Sequence, residues 1–378
     1  MLRHNTYPAA LSIFHLHGYL RLMLAGRGCP MERYHPMDEA RVLVVDDSAA
    51  MRALFTDVLE QSKNVRVVGS AANADEARDQ IAKLSPNVVT LDVEMPGMNG
   101  IEFLEEIMTN NPLPVVMLSS LTQSGTETSL KAFDLGAVEC FPKPLKATPE
   151  QFSKTVAKLG KIVLAAANSN LRSGNRIRQT KASHENFAWN GHIAAFSASM
   201  GGIDAVTVLV SDYPALCPPT IIVLQAEPAL VEAFITRLNG ELKCSIKAAK
   251  DGAPLTPGTI HIVCDPATHA VLEPGQPPKI RLVWRDPVDG ARPSATLLFG
   301  TIARAGLPAV GAVLTGIGVD GAKGLKLMRD AGCRTLAEDR TSATVREAPA
   351  AAVAADAVEQ ELSLEEIALA VLRLCNMH

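Results

Sequence analysis

Residues 41–47 read RVLVVDD and residues 87–92 read NVVTLD. Each is a continuous β-rich run that ends in carboxylates, the pattern of a strand buried on both faces with a charged C-terminal end. Outward from these, VRVVG (65–69), PVVML (114–118) and VECF (138–141) are runs of the same kind. Helical patterns lie between them, near 48–62, 73–84, 99–110 and 124–135. Five strands alternating with helices predict a doubly wound parallel sheet over residues 40–145. Ligands of such sheets collect at the C-terminal ends of the strands.

The second half repeats the alternation less regularly. HIAAFSA (192–198), TIIVLQA (220–226), IHIVC (260–264), IRLVW (280–284), PAVGAVL (308–314) and RTLAE (334–338) read as strands of a mostly parallel sheet. Helices are expected at 201–211, 228–239, 294–306, 320–331 and 361–374. The fold class is therefore α/β, with two doubly wound parallel-sheet domains in 378 residues.

Charge separates the segments. Net charge is +1 over residues 1–39, −7 over 40–145, +6 over 146–190 and −4 over 191–378. The +6 segment starts as a helix (149–167) and continues as ANSNLRSGNRIRQTKASHEN, the composition of an exposed basic linker. The expected organisation is an N-terminal extension (1–39), a first domain (40–145), a helix with basic linker (146–190) and a second domain (191–378). The extension, interrupted by His15, His17 and Arg21, is expected to be disordered or to reflect a start codon placed too far upstream. Seven scattered cysteines form no C-x-x-C pair, which suits a reducing cytosol better than a disulfide framework or a zinc site. A net charge of −4 argues against bulk nucleic-acid binding. No uninterrupted apolar run reaches the length of a membrane span.

Asp46 and Asp47 close the first strand and Asp92 closes the third, so three carboxylates converge at one pole. Their repulsion calls for a hard, oxygen-ligated cation such as Mg²⁺. Ser119 ends the fourth strand and Lys143 follows the fifth. A carboxylate nucleophile, a metal, a hydroxyl and a lysine are what an acyl-phosphate needs. Helix capping explains Asp47 or Ser48 taken alone, but not all five groups at one edge. VLVVDDS, TLDVEMPGMNG, VVMLSS and FPKP resemble the signature runs of two-component receiver domains, which are flavodoxin-like. The resemblance implies that Asp92 accepts phosphate from a histidine kinase. It implies that Asp46, Asp47 and Asp92 hold Mg²⁺, that Ser119 is the switch hydroxyl and that Lys143 binds the phosphoryl group. The family's aromatic position three residues before that lysine is Cys140 here.

In the second domain, HIAAFSA runs into Ser199-Met200-Gly201-Gly202. A serine at a strand-to-helix turn exposes its hydroxyl, and the glycines allow backbone N–H groups to face an oxyanion; an N-cap serine fits the same residues equally well. Asp320 stands between glycine turns, where a cap for the following helix is the competing reading. ASMGG, DPVDGARPS (286–294), TGIGVDGAKGL and RTLAEDRTSATV together resemble the catalytic domain of chemotaxis protein-glutamate methylesterases. That family removes methyl esters from glutamates of methyl-accepting chemotaxis receptors and deamidates their glutamines, in the cytoplasm and without a cofactor in the esterase domain. The resemblance makes Ser199 the nucleophile and Asp320 the acid of a Ser-His-Asp triad. The histidine of the family's Q-H-M-P run is Ala226 here, within Gln225-Ala226-Glu227-Pro228. Met200, Ala291 and Ile317 also depart from the family's threonine, histidine and methionine. Ala226 cannot take a proton from Ser199; His269, the histidine expected at a loop, and Glu227, immediately after Ala226, are the alternative bases. Two functions follow: a receiver-gated methylesterase and deamidase, or a catalytically silent receiver-gated binding module in the same pathway.

Overall fold

A computed structural model describes residues 39–119, 123–143, 149–171 and 187–377. Residues 1–38, most of the basic linker and His184 lie outside the described residues. The first half runs β1 (Ala40–Val45), α1 (Ala49–Glu60), β2 (Val65–Ala71), α2 (Ala74–Leu84), β3 (Val88–Asp92), α3 (Gly100–Asn110), β4 (Val115–Ser119), α4 (Gln123–Asp134) and β5 (Glu139–Pro142). All pairings are parallel, in the order β2-β1-β3-β4-β5. The continuous apolar runs are explained directly, because β3 and β4 are buried at every residue. Polar caps start the helices: Ser48 accepts from Met51 N, Asn73 from Glu76 N, and Asn99 forms a capping box with Glu102.

Helix α5 (Pro149–Ala167) follows and packs on β1, β3 and α1. The second half then runs β6 (Ile193–Ala198), α6 (Gly202–Val210), β7 (Thr220–Leu224), α7 (Pro228–Glu241), β8 (Ser245–Ala248), β9 (Thr259–Val263), β10 (His269–Glu273), β11 (Lys279–Val283), α8 (Ala295–Ala305), β12 (Ala309–Val313), α9 (Ala322–Asp330), β13 (Arg334–Glu338), α10 (Glu347–Ala354), β14 (Gln360–Leu362) and α11 (Leu364–Leu374). Seven strands form one parallel sheet in the order β14-β13-β12-β6-β7-β9-β8. The expectation that 280–284 joins this sheet is corrected: β11 pairs antiparallel with β10 in a separate two-stranded hairpin. The turn between them, PGQPP, is rich in the residues that close hairpins rather than launch a crossover. The central triplet β12-β6-β7 brings together the loops that follow those three strands, and they carry Asp320, Ser199 and Ala226.

Candidate functional sites

At the C-terminal edge of the first sheet, Asp46, Asp47 and Asp92 offer carboxylate oxygens within 4.8 Å of one another. Asp46 is fixed by the start of α1, since its Oδ1 accepts from Ser48 N at 2.9 Å. Asp92 accepts from Glu94 N at 3.2 Å. Gly100 lies against the Asp92 carbonyl, where a Cβ would stand 1.9 Å from the oxygen, so the acidic loop closes only over glycine. Lys143 Nζ reaches Asp46 Oδ2 at 2.9 Å and Asp92 Oδ2 at 2.7 Å. Burial pushes the Asp92 carboxyl above its ordinary range, more than Lys143 pulls it down, and the Asp46 charge adds to the rise. Burial opposes the Lys143 charge, but the two ion pairs outweigh it and hold its pKa up. Three acids against one lysine, all donating oxygen, suit a hard divalent cation such as Mg²⁺. Ser119 is buried at the end of β4, next to β3, with its hydroxyl 3.4 Å from that of Ser129 on α4. Cys140 touches the same helix, its sulfur donating to Ser129 O at 3.7 Å, and burial pushes this thiol up.

In the second sheet, Ser199 leaves β6 with its N–H bonded to Thr315 O at 3.1 Å. Its hydroxyl accepts from Ile317 N at 3.0 Å. Gly316 makes that approach possible, because a Cβ there would stand 2.3 Å from Ser199 Oγ. Thr315 is itself braced: its N–H donates to the buried Glu338, its hydroxyl donates to Met200 O, and Val345 N donates back to it. Asp320 caps a helix, but not the one it precedes. α9 begins at Gly321 with no side-chain cap, whereas Asp320 accepts from Ala295 N (2.7 Å) and Thr296 N (3.0 Å) in the first turn of α8. Ser294 Oγ (2.6 Å) and Gln225 Nε2 (3.0 Å) complete the set, so each carboxylate oxygen holds two donors. Sequence reading missed Gln225 and Ser294, since nothing local ties them to an acid so far away along the chain.

No described imidazole serves Ser199. His269, expected in a loop, opens β10 fully buried: its Nδ1 accepts from Ser294 N at 3.1 Å, which leaves Nε2–H to donate to Asp286 O at 3.1 Å. His192 stands before β6, at the opposite pole, against Asn190. His261 is buried in the middle of β9, where burial lowers its pKa. Glu227 is exposed, and its charge is felt by Cys264 after β9, on the far side of β7 from Ser199.

A family profile described as CheB methylesterase matches residues 194–371, and one described as response regulator receiver domain matches 42–156. A protein-glutamate methylesterase/protein-glutamine glutaminase 1 from Caulobacter vibrioides is 42% identical over 343 residues, covering 90% of this chain and 99% of the relative. The chain belongs to this family. A protein-glutamate methylesterase/protein-glutamine glutaminase from Agrobacterium fabrum is also 42% identical, covering 89% of this chain and 96% of the relative. The crystal structure of the Thermotoga maritima CheB methylesterase catalytic domain aligns over 49% of this chain and 99% of its own, with 22% identity and a TM-score of 0.47.

In this methylesterase family member the receiver half lies against the loops around Ser199. Met200 and Val345 are buried in one apolar cluster with Leu159, Ile162 and Val163 of α5, and Ile317 packs on its edge. Leu130 and Phe133 of α4 enter the core of the second half. Arg237 of α7 holds Asp134 of α4 through both carboxylate oxygens, at 2.9 and 3.0 Å. After α5, Asn170 bonds Thr344 O, Arg340 O and Ala343 O, and accepts from Arg346.

Proposed function

We propose that this protein is a phosphorylation-gated effector of chemotaxis that hydrolyses methyl-ester groups on glutamates of chemoreceptors, and deamidates their glutamines, in the cytoplasm. Ser199 is the nucleophile, Asp320 the triad acid, and Asp92 the phospho-acceptor, charged by a histidine kinase with Mg²⁺ held by Asp46, Asp47 and Asp92. Ser119 and Lys143 bind the phosphoryl oxygens. The observation that carries this reading is Ser199 at the strand-to-helix turn after β6, its Oγ held at 3.0 Å by the Ile317 N–H from the loop after β12, the same loop that carries Asp320. The α4 and α5 contacts around Met200, Ile317 and Arg237 support a closed state that an added phosphoryl charge opens.

Attack by Ser199 on the ester carbon requires its proton to leave and methanol to be protonated. With Ala226 in the histidine position neither transfer has a resident partner. Loss of a triad histidine costs on the order of 10⁴–10⁶ in rate, while binding and the oxyanion donor retain roughly 10³–10⁴ over water. One observation favours a second reading, a silent phosphorylation-dependent binder of receptor side chains: among the described residues no imidazole reaches Ser199 Oγ, since His269, His192 and His261 are all held elsewhere. Methanol release from methylated receptor, with and without acetyl phosphate, separates the two. Slow release that disappears in Ser199→Ala and rises in Ala226→His is expected for the esterase. Release equal to that of Ser199→Ala in the phosphorylated protein refutes it.

A further inference from the structure

Two carboxylates hold the loop after β12 beside the nucleophile, and the triad uses neither. Four successive N–H groups of that loop are engaged. Thr315 N donates to Glu338 Oε2 at 2.8 Å and Gly316 N to Val345 O at 3.0 Å. Ile317 N donates to Ser199 Oγ at 3.0 Å and Gly318 N to Glu347 Oε2 at 2.7 Å. Ala348 N returns a bond to Gly316 O at 3.0 Å, so the start of α10 runs alongside the loop. Glu338 is a buried brace, since its other oxygen takes the Ser342 hydroxyl at 3.0 Å. Glu347 is placed differently. It is half-exposed beside an exposed Gly318, and its Oε1 accepts no hydrogen bond and joins no ion pair among the described residues.

Consecutive backbone nitrogens lie within about 4 Å of each other. Held by adjacent N–H groups, the Glu347 carboxylate is therefore within about 10 Å of Ser199 Oγ. A carboxamide with its carbon about 3–3.5 Å from Ser199 Oγ and its nitrogen donating at about 2.9 Å spans about 7 Å, inside that limit.

We propose that Glu347 selects a receptor carboxamide over a methyl ester, its free oxygen accepting an N–H of a glutamine side chain bound against Ser199. This rests on the reading above, in which the Ser199 site receives receptor side chains. The three side chains that meet the site differ at this point. A glutamine amide brings two N–H donors, a glutamate methyl ester brings none, and glutamate brings a negative charge. A carboxylate acceptor favours the first, finds no partner in the second and repels the third, which is the product of both reactions. The bond from Gly318 N fixes one oxygen of Glu347 in advance, so little ordering remains when the amide arrives.

The test uses the full-length protein, phosphorylated with acetyl phosphate and Mg²⁺. A soluble receptor fragment is prepared in two forms, with glutamine or with glutamate methyl ester at the modified positions. Fluorescence anisotropy should show the glutamine form binding about tenfold more tightly, the worth of one charge-assisted hydrogen bond at a half-exposed site. Glu347→Ala should erase that difference by weakening the glutamine form alone. Glu347→Gln keeps a neutral carbonyl acceptor and should restore part of it. At low receptor concentration, ammonia release should fall about tenfold in Glu347→Ala while methanol release does not fall. A role confined to tying the loop would lower both alike. The comparison of the two forms in the parent needs no variant to fold. Equal binding of both forms by the parent, or equal weakening of both in Glu347→Ala, overturns the proposal and leaves the receptor reading standing. Binding of neither form, with no product from either, overturns the receptor reading and this selection with it.

Discussion

Removing the Asp320 carboxylate should destabilise the second half far more than removing the Ser199 hydroxyl. Asp320 is buried and holds four donors, two of them the Ala295 and Thr296 N–H groups that open α8. In Asp320→Ala the Ser294 hydroxyl and the Gln225 amide can turn to other acceptors, but the two backbone N–H groups cannot. A hydrogen bond to a charged group contributes about 1.5–3 kcal/mol, and a carboxylate at a helix N-terminus about 0.3–2 kcal/mol more. Two fixed donors and the helix-terminal charge therefore give a loss of about 3–8 kcal/mol. Asp320→Asn keeps the shape but turns an NH₂ group toward donors on one side, for a loss of about 2–3 kcal/mol. Ser199→Ala releases one N–H at a half-buried site and should cost about 1 kcal/mol or less. The assay is urea unfolding followed by tryptophan fluorescence, because Trp284 lies in the second half and Trp189, at the end of the linker, pairs with its Asn376. If Asp320→Ala lowers stability by under about 1 kcal/mol, the carboxylate is not the cap described above.

Burial pushes the Glu139 carboxyl up to about 7, from an ordinary 4.5, against smaller opposing effects of the Cys140 N–H and Lys158. The folded chain thus keeps a proton that the unfolded chain has lost. This contribution to stability is full below pH 4.5 and declines by roughly 3 kcal/mol as pH rises to 7. Circular dichroism-monitored unfolding at pH 5 and 7.5 should show that decline in the parent and a flatter profile in Glu139→Gln; equal profiles refute it. Arg237→Ala breaks a partly exposed ion pair worth up to about 1 kcal/mol, so the open population should rise no more than about fivefold. Hydrogen exchange at α4 and α7 reads this, and unchanged protection of both helices would show that the pair does not hold the halves together.

The acidic pole was legible because each of its groups ends a continuous apolar strand, and burial on both faces leaves no other place for a carboxylate. Elements with weaker internal patterns escaped. β8 is four residues of mixed exposure and β14 three residues on the sheet edge, too short for alternation to register. α10 contains Pro349, which argues against a helix until it is seen at the third helical position, where its missing N–H has no partner to lose. The true partners of Asp320 were illegible for a different reason. The carboxylate caps a helix whose first turn lies some two dozen residues earlier, and only the packing of the loop after β12 against α8 joins them.

That arrangement bears on how the protein accommodates Ala226. For Asp320 as the proposed triad acid, an absent imidazole would ordinarily remove a hydrogen-bond donor from a buried carboxylate, a change worth about 1–3 kcal/mol. Here the charge is compensated without it, since Ala295 N, Thr296 N, Ser294 Oγ and Gln225 Nε2 occupy both oxygens. His269 reinforces the set from behind, because its Nδ1 takes the Ser294 N–H and its Nε2 is tied to Asp286 O. The nucleophile loop is likewise braced by Thr315 and Glu338 rather than by any residue at 226. Catalytic geometry and fold stability are thus carried by different contacts. In the proposed triad, alanine at 226 supplies no proton transfer while Ser199, the Ile317 N–H and Asp320 keep their contacts. An imidazole restored at 226 would meet an Asp320 Oδ2 that already holds Ala295 N and Gln225 Nε2. Ala226→His should therefore raise turnover by less than the full 10⁴–10⁶ that a triad histidine is worth on the order-of-magnitude scale of serine hydrolases. A second change, Gln225→Ala, should raise it further by freeing that oxygen; if the double variant is slower than Ala226→His alone, the amide is a partner of the imidazole and not its competitor.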